Sequence, residues 1–282
     1  MNQLIVKQLS KSFGKKMVLS EVSYEFFDGM TALLGPNGAG KSTLLNIICT
    51  LLKPDSGGVY YNGKDVNLNE VKIEFLGDLS VQFQNQPMYR SDTAMEYLRF
   101  CGTLKGMPKE LIETEGRRLL EQFGLGDTGK KKIATFSGGM RQRLALCSTF
   151  LGEPKVIILD EPTAGLDIDE REALKRFLFE LKKDRMIIVS THIVSDVENV
   201  ADRIVLLNEG RIQTSGTQLD LICKLNGSVW ELPVNSTIKG GYYSDGKQLW
   251  IGDEPPCLDA VRKQPDLTDV YFSSMKGRWK DA

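Results

Sequence analysis

Two stretches of this chain are each suited to opening a helix on an anion, and few folds accommodate both. The first is Gly35-Pro36-Asn37-Gly38-Ala39-Gly40-Lys41-Ser42 and the second is Ser137-Gly138-Gly139-Met140-Arg141-Gln142-Arg143. The first follows the aliphatic run Thr31-Ala32-Leu33-Leu34 and precedes a helical pattern over 41–52. A glycine loop between strand and helix lets backbone N–H groups converge on phosphate oxygens, with the positive end of the helix dipole behind them. Glycine is needed because side chains would block close approach and several positions require positive φ. In such a loop Lys41 can reach the β- and γ-phosphates, Ser42 can place its hydroxyl on Mg²⁺, and Thr43 falls near the α-phosphate.

A third element lies downstream. Val156-Ile157-Ile158-Leu159 is a buried strand by composition, and it ends in Asp160-Glu161. Two adjacent carboxylates there would be costly if buried without partners. A Mg²⁺ ion and a nucleophilic water account for both: Asp160 holds the metal through water, and Glu161 polarises the attacking water as general base. Capping of a following turn is the bland alternative for this pair.

With its glycine loop, intervening Ser-Gly-Gly helix start and acidic strand end, the chain resembles the nucleotide-binding subunit of ABC (ATP-binding cassette) transporters over about residues 1–216. That resemblance implies an ATPase using ATP and Mg²⁺. It places a switch histidine at His192, the only histidine, hydrogen-bonded to the γ-phosphate and orienting the attacking water. It also implies a Mg²⁺-ligating glutamine before the helical insertion. Gln82, Gln84 and Gln86 are available, and counting back from Tyr89 favours Gln84, although Phe83 stands where the family usually has proline. Phe13 resembles the aromatic that stacks on adenine. In the family two subunits meet head to tail, so Ser137, Gly138 and Gly139 of one would cap the ATP held by the other's loop. Asp167, in Ala164-Gly165-Leu166-Asp167, would be the polar contact across that interface.

The resemblance narrows further. Ser190-Thr191-His192-Ile193-Val194-Ser195-Asp196-Val197-Glu198 and Pro265-Asp266-Leu267-Thr268-Asp269-Val270-Tyr271 look like bacterial ABC-2-type export ATPases. The implied partners are an integral membrane permease and a second ATPase subunit, in a homodimer driving export. A soluble relative acting on DNA or ribosomes is the alternative. Long coiled-coil insertions or paired cassettes typify those relatives, and this chain shows no sustained heptads and one cassette. An unrelated phosphate-loop GTPase is disfavoured because no Asn-Lys-x-Asp run is present.

Bulk properties agree. A net charge of −1 provides no basic field for nucleic acid, and the cluster Lys276, Arg278 and Lys280 reads as a solvated tail. No apolar run reaches the roughly 20 residues that span a bilayer, and the start lacks a secretory pattern. Five cysteines without a Cys-x-x-Cys pair suit a reducing compartment, and Cys49 and Cys147 read as core. The expectation is a cytoplasmic protein, peripheral on the membrane's cytoplasmic face.

The expected fold is α/β: a P-loop NTPase core with a mostly parallel sheet, an N-terminal antiparallel β subdomain, a helical insertion and a small C-terminal α+β appendage. The ATPase domain would occupy 1–216, with its helical subdomain at about 88–150, and the appendage 217–282. Short strands are expected at 4–6, 18–19 and 22–26, and an Asn62-Gly63 hairpin. Helices are expected at 170–183, 194–201 and 255–263, and strands at 186–190, 204–207, 229–232 and 247–251.

Overall fold

The computed structural model describes residues 2–84, 86–234, 236 and 238–275, and its alternating first third forms a long antiparallel ribbon. β1 (Gln3–Phe13) pairs with β2 (Lys16–Phe27). The chain then leaves for β3 (Gly29–Leu34) and α1 (Lys41–Ile48) before β4 (Ser56–Tyr61) and β5 (Lys64–Asp65) return, giving the sheet order β2-β1-β4-β5. The ribbon strands run well past the short segments expected, because Leu4, Val6, Leu9, Leu19, Val22 and Phe26 all turn into one apolar layer. At the β4–β5 turn, Asn62 and Gly63 sit at φ 49° and 79°. That pair of left-handed residues lets a two-residue loop match strand twist.

The continuous aliphatic runs build the second sheet. After α2 (Asn69–Asp78) come β6 (Leu79–Gln82), then α3 (Ala94–Leu104), α4 (Lys109–Gln122) and α5 (Gly138–Phe150) as a helical insertion, then β7 (Val156–Asp160). α6 (Ile168–Leu181), β8 (Met186–Thr191), β9 (Arg203–Asn208) and β10 (Arg211–Gly216) complete it, in the order β10-β9-β3-β8-β7-β6. All neighbours run parallel except β10, which folds back on β9. Alternate residues of each strand face opposite cores. Leu33, Ile158, Ile188 and Val205 pack toward α1 and the ribbon. Ala32, Leu34, Ile157, Leu159, Ile187 and Val189 pack toward the helical insertion. Lys105, just past α3, pins the insertion to the core by donating to the carbonyls of Ser148 and Leu151 and to Ser80 Oγ on β6.

The last quarter carries α7 (Gln218–Cys223), β11 (Val229–Glu231), β12 (Tyr242–Ser244), β13 (Lys247–Ile251), β14 (Val261–Arg262) and α8 (Leu267–Met275). Its four strands form an antiparallel sheet ordered β12-β13-β11-β14. Leu221, Leu225, Val229, Leu267 and Val270 join the same apolar cluster as Ile204 and Leu206, so this segment caps the end of the main core. Cys49 and Cys147 are buried, as expected. No helix among the described residues is long and apolar enough to cross a membrane. The cluster Lys276, Arg278 and Lys280 lies outside the described residues.

Three expectations need correction. The helix over 194–201 is only a 3₁₀ turn, Val194–Asp196, because Asn199 takes φ 61° and breaks the helical path. The helix over 255–263 is absent. Pro255 and Pro256 remove two donors, and Lys263 N–H instead donates to Val229 O, drawing β14 onto β11 as an edge strand. α1 stops at Ile48 rather than Leu52: the N–H groups of Leu51 and Leu52 both turn back to Asn46 O, and Thr50 is at φ 60°.

The fully buried Asp269 accepts from Tyr242 Oη, from Lys263 Nζ (2.7 Å) and from Asp266 N–H (2.8 Å), tying α8 to the small sheet. Asp269→Ala removes the buried acceptor of Tyr242 Oη and of Asp266 N–H, and one of the two carboxylates that hold Lys263 Nζ. It should destabilise the protein by about 2–3 kcal/mol, read as a lowered midpoint in urea unfolding.

Candidate active site

Parallel register brings the C-terminal ends of β3, β7 and β8 to one rim of the sheet. Leu34 lies opposite Thr191, and Asp160 opposite Ser190. The glycine loop leaves β3 there. Gly35 N–H donates to Thr191 O (3.2 Å), and a Cβ on Gly35 would lie 2.1 Å from Leu207 O, so any side chain would push the loop off the sheet. Gly40, at φ 105°, is the residue before α1, and a Cβ there would stand 2.7 Å from Leu19. Lys41 opens the helix. Its side chain is 6% exposed, and its ammonium curls back to donate to Gly35 O (2.7 Å) and Pro36 O (3.2 Å). Burial lowers its pKa, opposed by the nearby carboxylates of Glu161 and Asp160.

Those carboxylates end β7. Asp160 is buried and accepts from Ser190 Oγ. Glu161 sits at φ 51°, with its N–H donating to Ser190 O (3.0 Å). Its carboxylate lies between Lys41 Nζ, 3.6 Å away, and His192 Nδ1, 3.0 Å from both oxygens. The buried ammonium and carboxylate thus share a site that the half-exposed imidazole closes from the solvent side.

A cavity of about 240 Å³ joins Pro36, Asn37, Gly38, Gly40, Lys41, Ser42, Thr43, Gln84 and Glu161 with Lys16 and Val18 of the ribbon. Among the three glutamines, Gln84 lines it. Gln82 is turned into the core, and Gln86 donates to Tyr97 Oη (2.9 Å). Gly35 and Ala39 support the loop from behind, Ala39 being buried and accepting from Gly210 N–H at 3.0 Å. The donor set suits a polyphosphate with a hard divalent cation. No group of three or more His, Cys, Asp or Glu is preassembled for a metal among the described residues. Ser42 and Gln84 line the cavity, whereas Asp160, buried behind it and accepting from Ser190 Oγ, does not; so sparse a set of oxygen donors suits Mg²⁺ shared with phosphate oxygens.

Phe13 stands at the tip of the β1–β2 ribbon, about half exposed, with Lys11 Nζ 5.7 Å from its ring centroid. It offers an apolar face without lining the phosphate cavity. Ser137 caps α5, its Oγ accepting from Met140 N–H (3.1 Å), with Gly138 exposed and Gly139 half-buried beside it. This second cradle does not line the glycine-loop cavity of its own chain. Gly138 lines a separate one, about 310 Å³, with Gln84, Gln86, Ala164 and Gly165. Asp167 caps α6, accepting from Glu170 N–H (2.8 Å), while Glu170 accepts from Asp167 N–H. The sequence reading did not find Lys16 and Val18, which come from a distant strand, nor Ser190, which holds Asp160. It also missed the reach of Gln142, whose amide meets the carbonyls of Glu161 and Pro162.

Comparison with known proteins gives the same picture. The sequence profile of the ABC transporter family matches residues 19–164. The chain is 33% identical to the uncharacterized ABC transporter ATP-binding protein YxlF of Bacillus subtilis, over 95% of this chain and 88% of that one. It is 32% identical to the linearmycin resistance ATP-binding protein LnrL of the same organism, covering 79% of this chain and 72% of the relative. It is 35% identical to the sulfate/thiosulfate import ATP-binding protein CysA of Pectobacterium atrosepticum, covering 77% and 67%. Among solved structures, an ATP-binding subunit of an ABC transporter superposes with a TM-score of 0.72 at 32% identity, over 79% of this chain and 93% of that one. The cassette MJ0796, solved as a dimer in a post-hydrolysis state with ADP and Pi, gives 0.70 at 25% identity, over 76% and 98%.

Lys41→Ala removes the buried one of the two lysines that line the cavity. Affinity for ATP should fall by about tenfold or more, read by titration with a fluorescent nucleotide while circular dichroism stays that of the parent.

Proposed function

The chain belongs to the ABC transporter family as an ATP-hydrolysing, ATP-binding subunit, and on that premise we propose that two copies close head to tail over two ATP molecules to drive export through a separate membrane permease. The observation that carries this reading is the separation of the two cradles. The glycine loop and the Ser137 helix start do not line a common cavity in one chain. A second copy related by a two-fold axis supplies what each site lacks.

In this reading Lys41 turns from the loop carbonyls to the β- and γ-phosphates, and the backbone of 35–43 cradles them. Phe13 stacks on adenine. Ser42, Gln84 and Asp160 hold Mg²⁺, which when bound neutralises charge on the β- and γ-phosphate oxygens. Glu161 takes the proton from the attacking water, and His192, already paired with it, fixes its carboxylate and orients the water. Ser137, Gly138 and Gly139 of the partner copy close over the γ-phosphate, with Asp167 at the seam. Contacts made only in the closed pair shift the open–closed equilibrium toward closure, and loss of the γ-phosphate releases it.

Gln84 sits where the glycine-loop cavity meets the root of the helical insertion, at about 88–150. Tyr89, Phe100 and Leu104 are exposed on that insertion, and Tyr89 and Phe100 meet edge to face at 6.4 Å. This apolar patch is the proposed docking face for the permease, placing the chain at the membrane's cytoplasmic side. Export is favoured by likeness to a resistance protein and by the motif around His192. The importer CysA aligns over the cassette as well. Residues 1–216 would form the ATPase domain and 217–282 an accessory unit bracing its edge.

Glu161→Gln should lower ATP turnover by about a hundredfold or more and trap an ATP-loaded dimer on size exclusion with light scattering. Normal turnover by this variant would contradict the assignment of the base. Ser137→Arg should abolish that dimer in the Glu161→Gln background and leave ATP affinity of the single chain unchanged. Co-purification of the native protein with an integral membrane protein, rather than with ribosomes or DNA, tests the partner.

A further inference from the structure

We propose that Gln142 is a positioning residue for Glu161, and that through it helix α5 couples the two ATP sites. The first half concerns one chain. The second rests on the dimeric reading above.

Glu161 adopts a left-handed backbone at φ 51°. That conformation is unfavourable for a residue with a side chain, and the contacts around Glu161 hold it there. Two of the imposing contacts are backbone to backbone: Glu161 N–H to Ser190 O (3.0 Å) and Ala164 N–H to Glu161 O (3.2 Å). Any side chains at those positions would permit them. The third comes from a side chain on another element. The Nε2 of Gln142 lies 2.9 Å from Pro162 O and 3.4 Å from Glu161 O, so one carboxamide spans two successive carbonyls at the end of β7. It restrains the two peptide planes that follow Glu161, tightly through the Pro162 carbonyl at 2.9 Å and more loosely through the Glu161 carbonyl at 3.4 Å. Reorientation of these planes would shift the Glu161 backbone and carry its carboxylate off His192 and Lys41. A misplacement of about 1 Å at a reacting group can cost about a hundredfold in rate.

Gln142 belongs to α5, the helix that Ser137 caps. Its neighbour Arg143 ties α5 to the end of α4 and to α6, donating to Phe123 O (3.0 Å) and pairing with Glu170 of α6 (3.0 Å). α5 therefore moves as one body with its neighbours, and Gln142 is the side chain that carries its position to the base. In the closed pair, Ser137 and Glu161 of the same chain serve different nucleotides: Ser137 the partner's, Glu161 its own. Seating of the Ser137 tip at one site then sets the carboxylate at the other. The linkage needs no contact between the two nucleotides.

The test is steady-state ATPase kinetics on Gln142→Leu, which keeps much of the bulk and loses the amide. The expected result is a kcat lowered about tenfold or more, a KM for ATP within about twofold of the parent, an unchanged melting temperature, and a Hill coefficient reduced toward unity. In the Glu161→Gln background, Gln142→Leu should still form the ATP-locked dimer. Should leucine disturb the fold, Gln142→Asn keeps the amide but withdraws it by one methylene, and the same readouts decide. An unchanged kcat in the folded variant overturns the positioning role. So does a loss of rate matched by lost ATP affinity or by a lowered melting temperature. A lowered kcat with an unchanged Hill coefficient overturns the coupling alone. Failure of Glu161→Gln by itself to dimerise overturns the dimeric reading, and the kcat comparison still judges Gln142.

Discussion

The carboxylate of Glu161, held between the Lys41 ammonium and the His192 imidazole, is the interaction around which this molecule is arranged. Each of those groups would be expensive to bury alone. Together they are affordable only because three strands end side by side at one rim. β3 delivers the glycine loop and Lys41, β7 delivers Asp160 and Glu161, and β8 delivers Ser190, Thr191 and His192. The aliphatic residues behind that rim pack on both faces of the sheet and leave little room for the strand ends to drift. A sheet with this register concentrates charge at one edge and supports it with two apolar cores.

The same rim explains why one copy is an incomplete machine in the proposed mechanism. The glycine loop and the Ser137 tip both lead into helix N-termini, whose first N–H groups have no partner within the helix, and each is suited to phosphate. They belong to helices on different sides of the sheet. α1 packs with the ribbon, whereas α5 packs with the insertion. Opposite placement would make a poor pocket in one chain and a closed one between two. It would also let the insertion act as a lever, because Gln84 at its root and Gln142 on α5 reach the site while its exposed apolar patch lies on α3 and the loop before it.

Much of this was legible in the residues, and the reasons differ by element. The glycine loop, Asp160-Glu161, the Asn62-Gly63 turn and the Ser137 cap are local features whose chemistry fixes their geometry. The central strands were legible as unbroken aliphatic runs. α2 was not, because only Val71 and Phe75 of it are buried and its apolar stripe is weak. β6 and β10 lie at the two edges of the sheet, where half-buried sequences such as Leu79–Gln82 resemble loops. The turn at 194–201 has a helix-like pattern, yet Asp196 accepts from Thr163 Oγ1 and Asn199 reverses the path, and neither event is visible locally. Within the site, the long-range contacts were hidden for the same reason. Lys16, Val18, Ser190 and Gln142 meet the phosphate cavity or its carboxylates only through tertiary placement.

The central claim, a nucleotide shared between two copies, is tested most directly by mixing two disabled chains. One carries Lys41→Ala and the other Ser137→Arg, and each alone should hydrolyse almost no ATP. In a mixed pair, one site combines the intact glycine loop of the second chain with the intact Ser137 tip of the first. Co-expressed in equal amounts, the two should recover a clear fraction of the parent rate, up to about half, since each mixed pair has one sound site of two. A mixture that forms pairs yet stays as inactive as its components would contradict the account.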